Sequence, residues 1–198
     1  GLAYTSYGGD VLEIECVSFP GQGKVQATGS LGEVMSESTR IAHAYLRAVC
    51  TEYGLDCAAL DKTDLHVHFP AGAVPKDGPS AGITVAISML SRLTGRLMHP
   101  RMAMTGEISL TGEVLPVGGI REKVLAAKRQ GVRTVLLPAQ NRSDVEQMEP
   151  AWTRGLHFIY VERFAQVAEA ALKPAPRAKR TLQAPKGKSH QRRRAKPA

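Results

Sequence analysis

Alternating apolar positions Val11, Leu12, Ile14 and Cys16 predict a strand over residues 10–17. A second strand over 24–28 follows the turn residues Pro20-Gly-Gln-Gly23. The spacing of Val34, Ile41, Tyr45, Leu46 and Val49 predicts a helix over 33–53, with Gly54 as its stop. Leu65, Val67 and Phe69 alternate with His66 and His68, the pattern of a half-buried strand over 65–69. A loop from Ala71 to Ser80 then opens a helix over 80–93 that is apolar on most sides, as buried helices are. Residues 102–108 and 113–117 read as strands joined in a hairpin through Ser109-Leu-Thr-Gly112. Gly118-Gly119 breaks the chain before a helix over 120–130, closed by Gly131. The remainder predicts a strand over 134–137, a short helix capped by Asn141 and running to Met148, a strand over 157–161 and a helix over 164–172. Strands and helices mix without a regular βαβ repeat, so the expected class is α/β or α+β with a mixed sheet. The chain shows no internal repeat.

Composition adds one boundary. With 43% hydrophobic residues, the 198-residue chain can bury one good core. Its net charge of +8 is unevenly placed. Residues 173–198 carry ten Lys and Arg and no acid, which leaves 16 basic against 18 acidic groups over 1–172. The expected organisation is a mildly acidic domain over 1–172 and a basic, proline-containing tail over 173–198. That tail has too little apolar surface to offset its ordering entropy and is expected to be disordered. The start, Gly1-Leu-Ala-Tyr4, has no initiator Met and no signal-peptide pattern, as expected of a piece of a longer chain. No stretch approaches the roughly 20 apolar residues of a membrane span, so no membrane partner is expected. Cys16, Cys50 and Cys57 are odd in number and lack metal or redox spacing, which points to a reducing, cytoplasmic compartment.

The candidate chemistry gathers around Pro75-Lys-Asp-Gly-Pro-Ser-Ala-Gly82. A serine hydroxyl becomes a nucleophile only when it is exposed, positioned and served by a base. Gly78, Pro79 and Gly82 suit a tight turn around Ser80, and a helix starting there aims its positive dipole end at a developing oxyanion. A serine after Gly-Pro is also an ordinary helix cap. Two kinds of base compete. His66 and His68 share one strand face, with Asp77 nearby in sequence, for a Ser-His-Asp arrangement. A desolvated lysine is the alternative, since an exposed one titrates near ~10.4 and cannot act as a base at neutral pH. Lys123 lies on one edge of the apolar face of its helix and Lys128 on the other, so periodicity does not choose between them. His66 and His68 alone fall short of a metal site, and they read rather as polar residues on the open face of a strand.

The run Asp77-Gly-Pro-Ser-Ala-Gly-Ile-Thr-Val85 resembles the active-site signature of Lon proteases. The resemblance extends through Gly1-Leu-Ala-Tyr4, Gly29-Ser-Leu-Gly-Glu-Val-Met35, His66-Val-His68, Thr105-Gly-Glu107 and Val114-Leu-Pro-Val-Gly-Gly-Ile-Arg-Glu-Lys-Val-Leu-Ala-Ala127. It covers nearly all of residues 1–172 in the family's order. It implies the Lon proteolytic-domain fold, Ser80 as nucleophile, Lys123 as general base and Thr105 as the threonine that orients the lysine. His68 is placed near the site without being the base, and Asp77 and Glu107 are supporting or substrate-facing candidates. The implied substrates are unfolded or degron-bearing proteins, and the implied assembly is a hexamer.

The resemblance also implies an AAA+ ATPase motor using ATP and magnesium. No Gly-x-x-x-x-Gly-Lys-Ser/Thr loop occurs in the 198 residues, so no cofactor is expected in this domain and the motor is expected elsewhere in the parent protein. Two rival classes remain. A nucleic-acid or polyphosphate contact through the basic tail would be salt-dependent and sequence-independent, but the tail has no aromatic residue for base stacking. A non-catalytic assembly domain is disfavoured by the joint presence of Ser80, Lys123 and Thr105.

Overall fold

The structure is a computed structural model that describes residues 1–5 and 8–174. Strands β1 (Leu2–Thr5) and β2 (Gly8–Val11) form an antiparallel hairpin with Leu2 opposite Val11. The strand expected over 10–17 is broken at Leu12. Leu12 turns inward, its N–H donating to the Gly1 carbonyl at 2.8 Å. The chain then enters β3 (Glu15–Pro20) and β4 (Val25–Thr28). The first long helix, α1, runs Glu33–Ala48 rather than to residue 53. A 3-10 turn over Cys50–Tyr53 follows, and Gly54 at φ 69° reverses the chain into α2 (Cys57–Leu60). That reversal brings the Cα atoms of Cys50 and Cys57 to 5.7 Å, and the structure pairs them in a disulfide. The number and spacing of the cysteines had pointed instead to a reducing compartment, and only Cys16 among the cysteines is free.

Strand β5 (Thr63–His68) is the centre of a three-stranded mixed sheet, antiparallel to β3 and parallel to β4, with Val67 facing both Cys16 and Ala27 in register. The buried helix begins as a 3-10 turn over Pro79–Ala81 and becomes α3 over Gly82–Thr94. Gly95 ends it at φ 66°. The strand expected over 102–108 is two strands, β6 (Met102–Met104) and β7 (Glu107–Ile108). They are separated where Thr105 and Gly106 turn aside to bond the Ser80 carbonyl. Strand β7 does form the expected antiparallel hairpin with β8 (Val114–Leu115).

Helix α4 (Ile120–Arg129) leads to β9 (Thr134–Pro138), α5 (Arg142–Glu146), α6 (Pro150–Thr153), β10 (His157–Val161) and α7 (Phe164–Ala171). Asn141 makes no capping bond to α5, because its amide is committed to Val117. Strands β6, β9 and β10 form a second sheet, parallel throughout, in the order β10–β9–β6. Successive parallel crossovers are therefore present in the second half of the chain, although no regular repeat was legible there. The α/β class holds.

The parallel sheet is covered on both faces, as such sheets must be. Leu136 of β9 joins Met104, α3 and α7 in the main core. Its neighbours Val135 and Leu137 point the other way, to a second cluster with Leu2, Ala103, Ile120, Val124 and Ala127 under α4. Each fully buried aliphatic side chain contributes roughly 1.5–3 kcal/mol. Helix α3, with Val85, Ala86, Ile87, Met89 and Leu90 all inaccessible, is therefore the most firmly held element. No helix among the described residues is long and apolar enough to cross a membrane. The basic tail lies, from residue 175 on, outside the described residues.

Candidate active site

The turn that presents Ser80 depends on Gly78, whose φ of 108° is open to glycine and costly for any other residue. Two groups fix the backbone of Ser80. Its carbonyl accepts the Gly106 N–H at 2.8 Å and the Thr105 hydroxyl at 3.0 Å. Thr105 is wholly buried, and its oxygen accepts in turn from Lys123 Nζ at 3.1 Å. The hydroxyl thus uses its proton on Ser80 and a lone pair on Lys123, and joins the two segments through one buried atom.

Lys123 is 2% exposed. Burial disfavours the ammonium form and lowers its pKa from 10.5 to about 8. No carboxylate pairs with it among the described residues. Strand β2 passes directly against the backbone of α4 at this point. A Cβ on Gly9 would lie 2.0 Å from the Glu122 carbonyl oxygen and 2.9 Å from the Lys123 nitrogen. The Arg129 guanidinium ties the other end of that contact, donating to the Gly9 carbonyl at 2.7 Å. The position of Lys123 is therefore set by a glycine more than 110 residues away in sequence.

Ser80 and Lys123 line one cavity of about 390 Å³ together with Leu2, Ala3, Tyr4, Asp77 and the Pro116–Gly119 loop. No direct hydrogen bond joins the two side chains among the described residues. A second cavity of about 330 Å³ shares Ala3, Tyr4, Leu12, Met35 and Asp77 with the first and continues past Val74 and Pro75. The two cavities thus adjoin along one face of the molecule, with both apolar and charged residues in their walls.

The supporting candidates separate. Asp77 lines both cavities, but its carboxylate is occupied. Oδ1 accepts the N–H groups of Met35 at 2.9 Å and Gly78 at 2.8 Å, which hold it below the usual carboxylate range. It caps α1 from a distant loop, where Gly32 supplies no side chain of its own. A Cβ on Gly32 would sit 2.2 Å from Asp77 Cγ. This role escaped the sequence reading, although a helix opening at Gly32 without a capping side chain was a signal that a remote carboxylate was needed. His66 and His68 do not line the cavity. Both rings turn to one hydroxyl, that of Thr28, with His66 Nε2 at 2.9 Å and His68 Nδ1 at 2.8 Å. Glu107 sits on β7, half-buried, and also stands outside the cavity lining. Lys128, on the other edge of the apolar face, points outward to the Ala151 carbonyl. Gly9 and Asn141 are the residues near the site that sequence patterns did not raise for this purpose.

Comparison with known proteins places the chain in a family. The family of Lon protease (S16) C-terminal proteolytic domains matches residues 1–174. A Lon protease of Methylocella silvestris is 51% identical over 181 residues, which cover 89% of this chain and 22% of that protein. Lon protease 4 of Sorangium cellulosum is 50% identical over 176 residues, 89% of this chain and 22% of that protein. A Lon protease of Lachnoclostridium phytofermentans is 49% identical over 172 residues, 87% and 21% respectively. The chain spans about a fifth of the length of the curated relatives it matches.

Proposed function

The chain belongs to the family of Lon protease (S16) C-terminal proteolytic domains, and from that premise we propose that it is a serine endopeptidase with Ser80 as nucleophile and Lys123 as general base. The observation that carries the proposal is the buried lysine with a pKa near 8, joined to the nucleophile's backbone through Thr105. Neutral Lys123 takes the Ser80 proton as Oγ attacks the scissile carbonyl. Backbone donors around Ser80 stabilise the oxyanion, and the Lys123 ammonium then protonates the leaving amine. Water repeats the proton route to hydrolyse the acyl-enzyme. Because the neutral amine is the base, turnover rises with pH through about 8 and levels off above it. A rate flat across that range would remove lysine from the role.

The proposed substrates are unfolded or degron-bearing proteins, presented by an AAA+ motor that consumes ATP and magnesium outside this chain, in a homo-hexamer. The cytoplasm is the proposed compartment. The Cys50–Cys57 disulfide weighs against a reducing compartment and makes that checkable: thiol alkylation of protein taken from cells that found the pair oxidised would dismiss the cytoplasm. The basic tail is proposed as a nonspecific contact for nucleic acid or polyphosphate, and deletion of 173–198 with unchanged affinity would dismiss it.

The decisive experiment is hydrolysis of an unfolded protein and a fluorogenic peptide by this chain, beside Ser80→Ala and Lys123→Ala. Loss in both variants is expected. Activity surviving Ser80→Ala would sink the assignment, and survival of Lys123→Ala alone would remove lysine from the role of base.

A further inference from the structure

Residues Pro116, Val117, Gly118 and Gly119 form the cavity wall between β8 and α4. Two of the four have no side chain to anchor them, and Gly119 stands at φ 70°. The anchor is Asn141, from the 3-10 turn that follows β9. Its Oδ1 accepts the Val117 N–H at 3.0 Å, and its Nδ2 donates to the Val117 carbonyl at 3.0 Å. The same Nδ2 donates to Asp144 Oδ2 at 2.7 Å, which settles which end of the amide meets which peptide group. Asn141 is 6% exposed, so the loss of these partners would strand buried polar atoms. A carboxamide exchanging both bonds with one residue imitates a neighbouring β-strand. Gly118, the next residue, is exposed and lines the cavity with Ser80, and its peptide groups make no hydrogen bond among the described residues. An extended peptide needs main-chain partners of that kind.

We infer that Asn141 is a positioning residue for the substrate main chain: by clamping Val117 it holds the peptide groups of Gly118 as a docking point in the cavity that contains Ser80. The inference rests on the reading of Ser80 and Lys123 as the peptidase site. Asn141 bonds neither of them, so its effect falls on engagement of a peptide rather than on bond formation at Ser80 Oγ.

Boronates separate the two. Ser80 Oγ adds to boron while its proton passes to Lys123, whether the boronate carries a peptide or a bare aryl ring. Affinities of a peptidyl boronate and a small arylboronate are measured for the unaltered chain, N141A, N141D and D144A, with thermal melts alongside. N141A should bind the peptidyl boronate about tenfold more weakly, equivalent to about 1.4 kcal/mol, with arylboronate affinity held within about twofold. D144A should shift the same way by less, and Asp144 is exposed, so that variant leaves the core intact. N141D should match N141A at neutral pH. Its ratio to the unaltered chain should recover as pH falls, because a protonated carboxyl again accepts from the Val117 N–H and donates to its carbonyl. Equal losses for both boronates would overturn the inference, as would unchanged peptidyl affinity in N141A or N141D. If N141A does not fold, N141D and D144A decide the matter. An unaltered chain that binds neither boronate, or a Ser80→Ala variant that binds as well, would overturn the peptidase reading instead.

Discussion

Helix α3 is buried along most of its length, whereas α4 keeps an outer face of Arg121, Lys128 and Arg129 and buries only Ile120, Lys123, Val124, Ala126 and Ala127. The two helices also present the proposed nucleophile and base by opposite means. Ser80 stands just ahead of α3, and its place is set by backbone: the Gly78 turn, the Gly106 N–H and the Thr105 hydroxyl. Lys123 lies inside α4, and its chemistry is set by burial of the side chain itself. Orienting a serine costs little, since its hydroxyl is small and neutral. Poising a lysine means taking a cation out of water, and the lowered pKa corresponds to roughly 3 kcal/mol. The placing of Ser80 is therefore a matter of geometry, and the placing of Lys123 a matter of stability given up locally.

The sharpest way to break that contrast is to exchange each group for an inert one. Ser80→Ala and Lys123→Met should both cut peptide turnover at least about a thousandfold. Their stabilities should diverge. The amine's cost is fully present below about pH 8 and is relieved as pH rises from there towards the ordinary lysine value near ~10.4. Lys123→Met should accordingly raise the melting temperature at pH 7 while Ser80→Ala leaves it nearly unchanged. Calorimetry of the two variants checks this, and a lower Tm for Lys123→Met would contradict the account.

A glycine guards each helix, and filling it tests which support is tighter. Gly9→Ala drives a methyl into the Glu122 carbonyl at 2.0 Å, while Gly82→Ala meets the Ile108 nitrogen at 2.9 Å and Ser38 Oγ at 3.1 Å. Both should destabilise by about 1–3 kcal/mol in denaturant titrations, with Gly9→Ala the greater. Gly9→Ala should also depress turnover, because the atoms displaced belong to Lys123 and its neighbour.

Thr105→Val removes the atom shared by both sides. Turnover should fall about tenfold, and the midpoint of the pH–rate curve should move below about 8, because the ammonium loses its acceptor. An unchanged midpoint would mean that Thr105 serves the Ser80 backbone alone. The smallest effect belongs to Asp77→Asn. The carboxylate's pKa is depressed by the N–H groups of Met35 and Gly78, so its contribution is present above the ordinary carboxylate value and lost as pH falls through the lowered one. The variant should melt slightly lower at neutral pH and show a flatter acid limb.

Much of this was legible in the chain. The buried character of α3 followed from its uninterrupted apolar residues, and the class followed from the mixture of strand and helix periods. The Ser80 turn could be read from Gly78 and Pro79, because backbone constraints are written in residue type. The choice between Lys123 and Lys128 could not be read from periodicity. Both lie on edges of the same apolar face, and what separates them is the partner that covers each edge: β2 and Thr105 over one, solvent and α6 over the other. The strands expected over 10–17 and 102–108 were each one element too long. The break at Thr105-Gly106 comes from hydrogen bonds to distant segments that leave no local trace in the pattern, and the one at Leu12 follows the end of the β1–β2 hairpin, where its N–H meets the Gly1 carbonyl.

Sequence alone determined the turn at Ser80, the apolar helix behind it and the run of residues that marks the family, since each depends on neighbours along the chain. The family's run of residues already pointed to Lys123, but only tertiary structure decided that its side chain is buried, that Asp77 caps α1 and that Asn141 holds the cavity wall. Those roles arise from desolvation and from hydrogen bonds between residues 18 to 42 positions apart, and both quantities exist only once the chain has closed on itself.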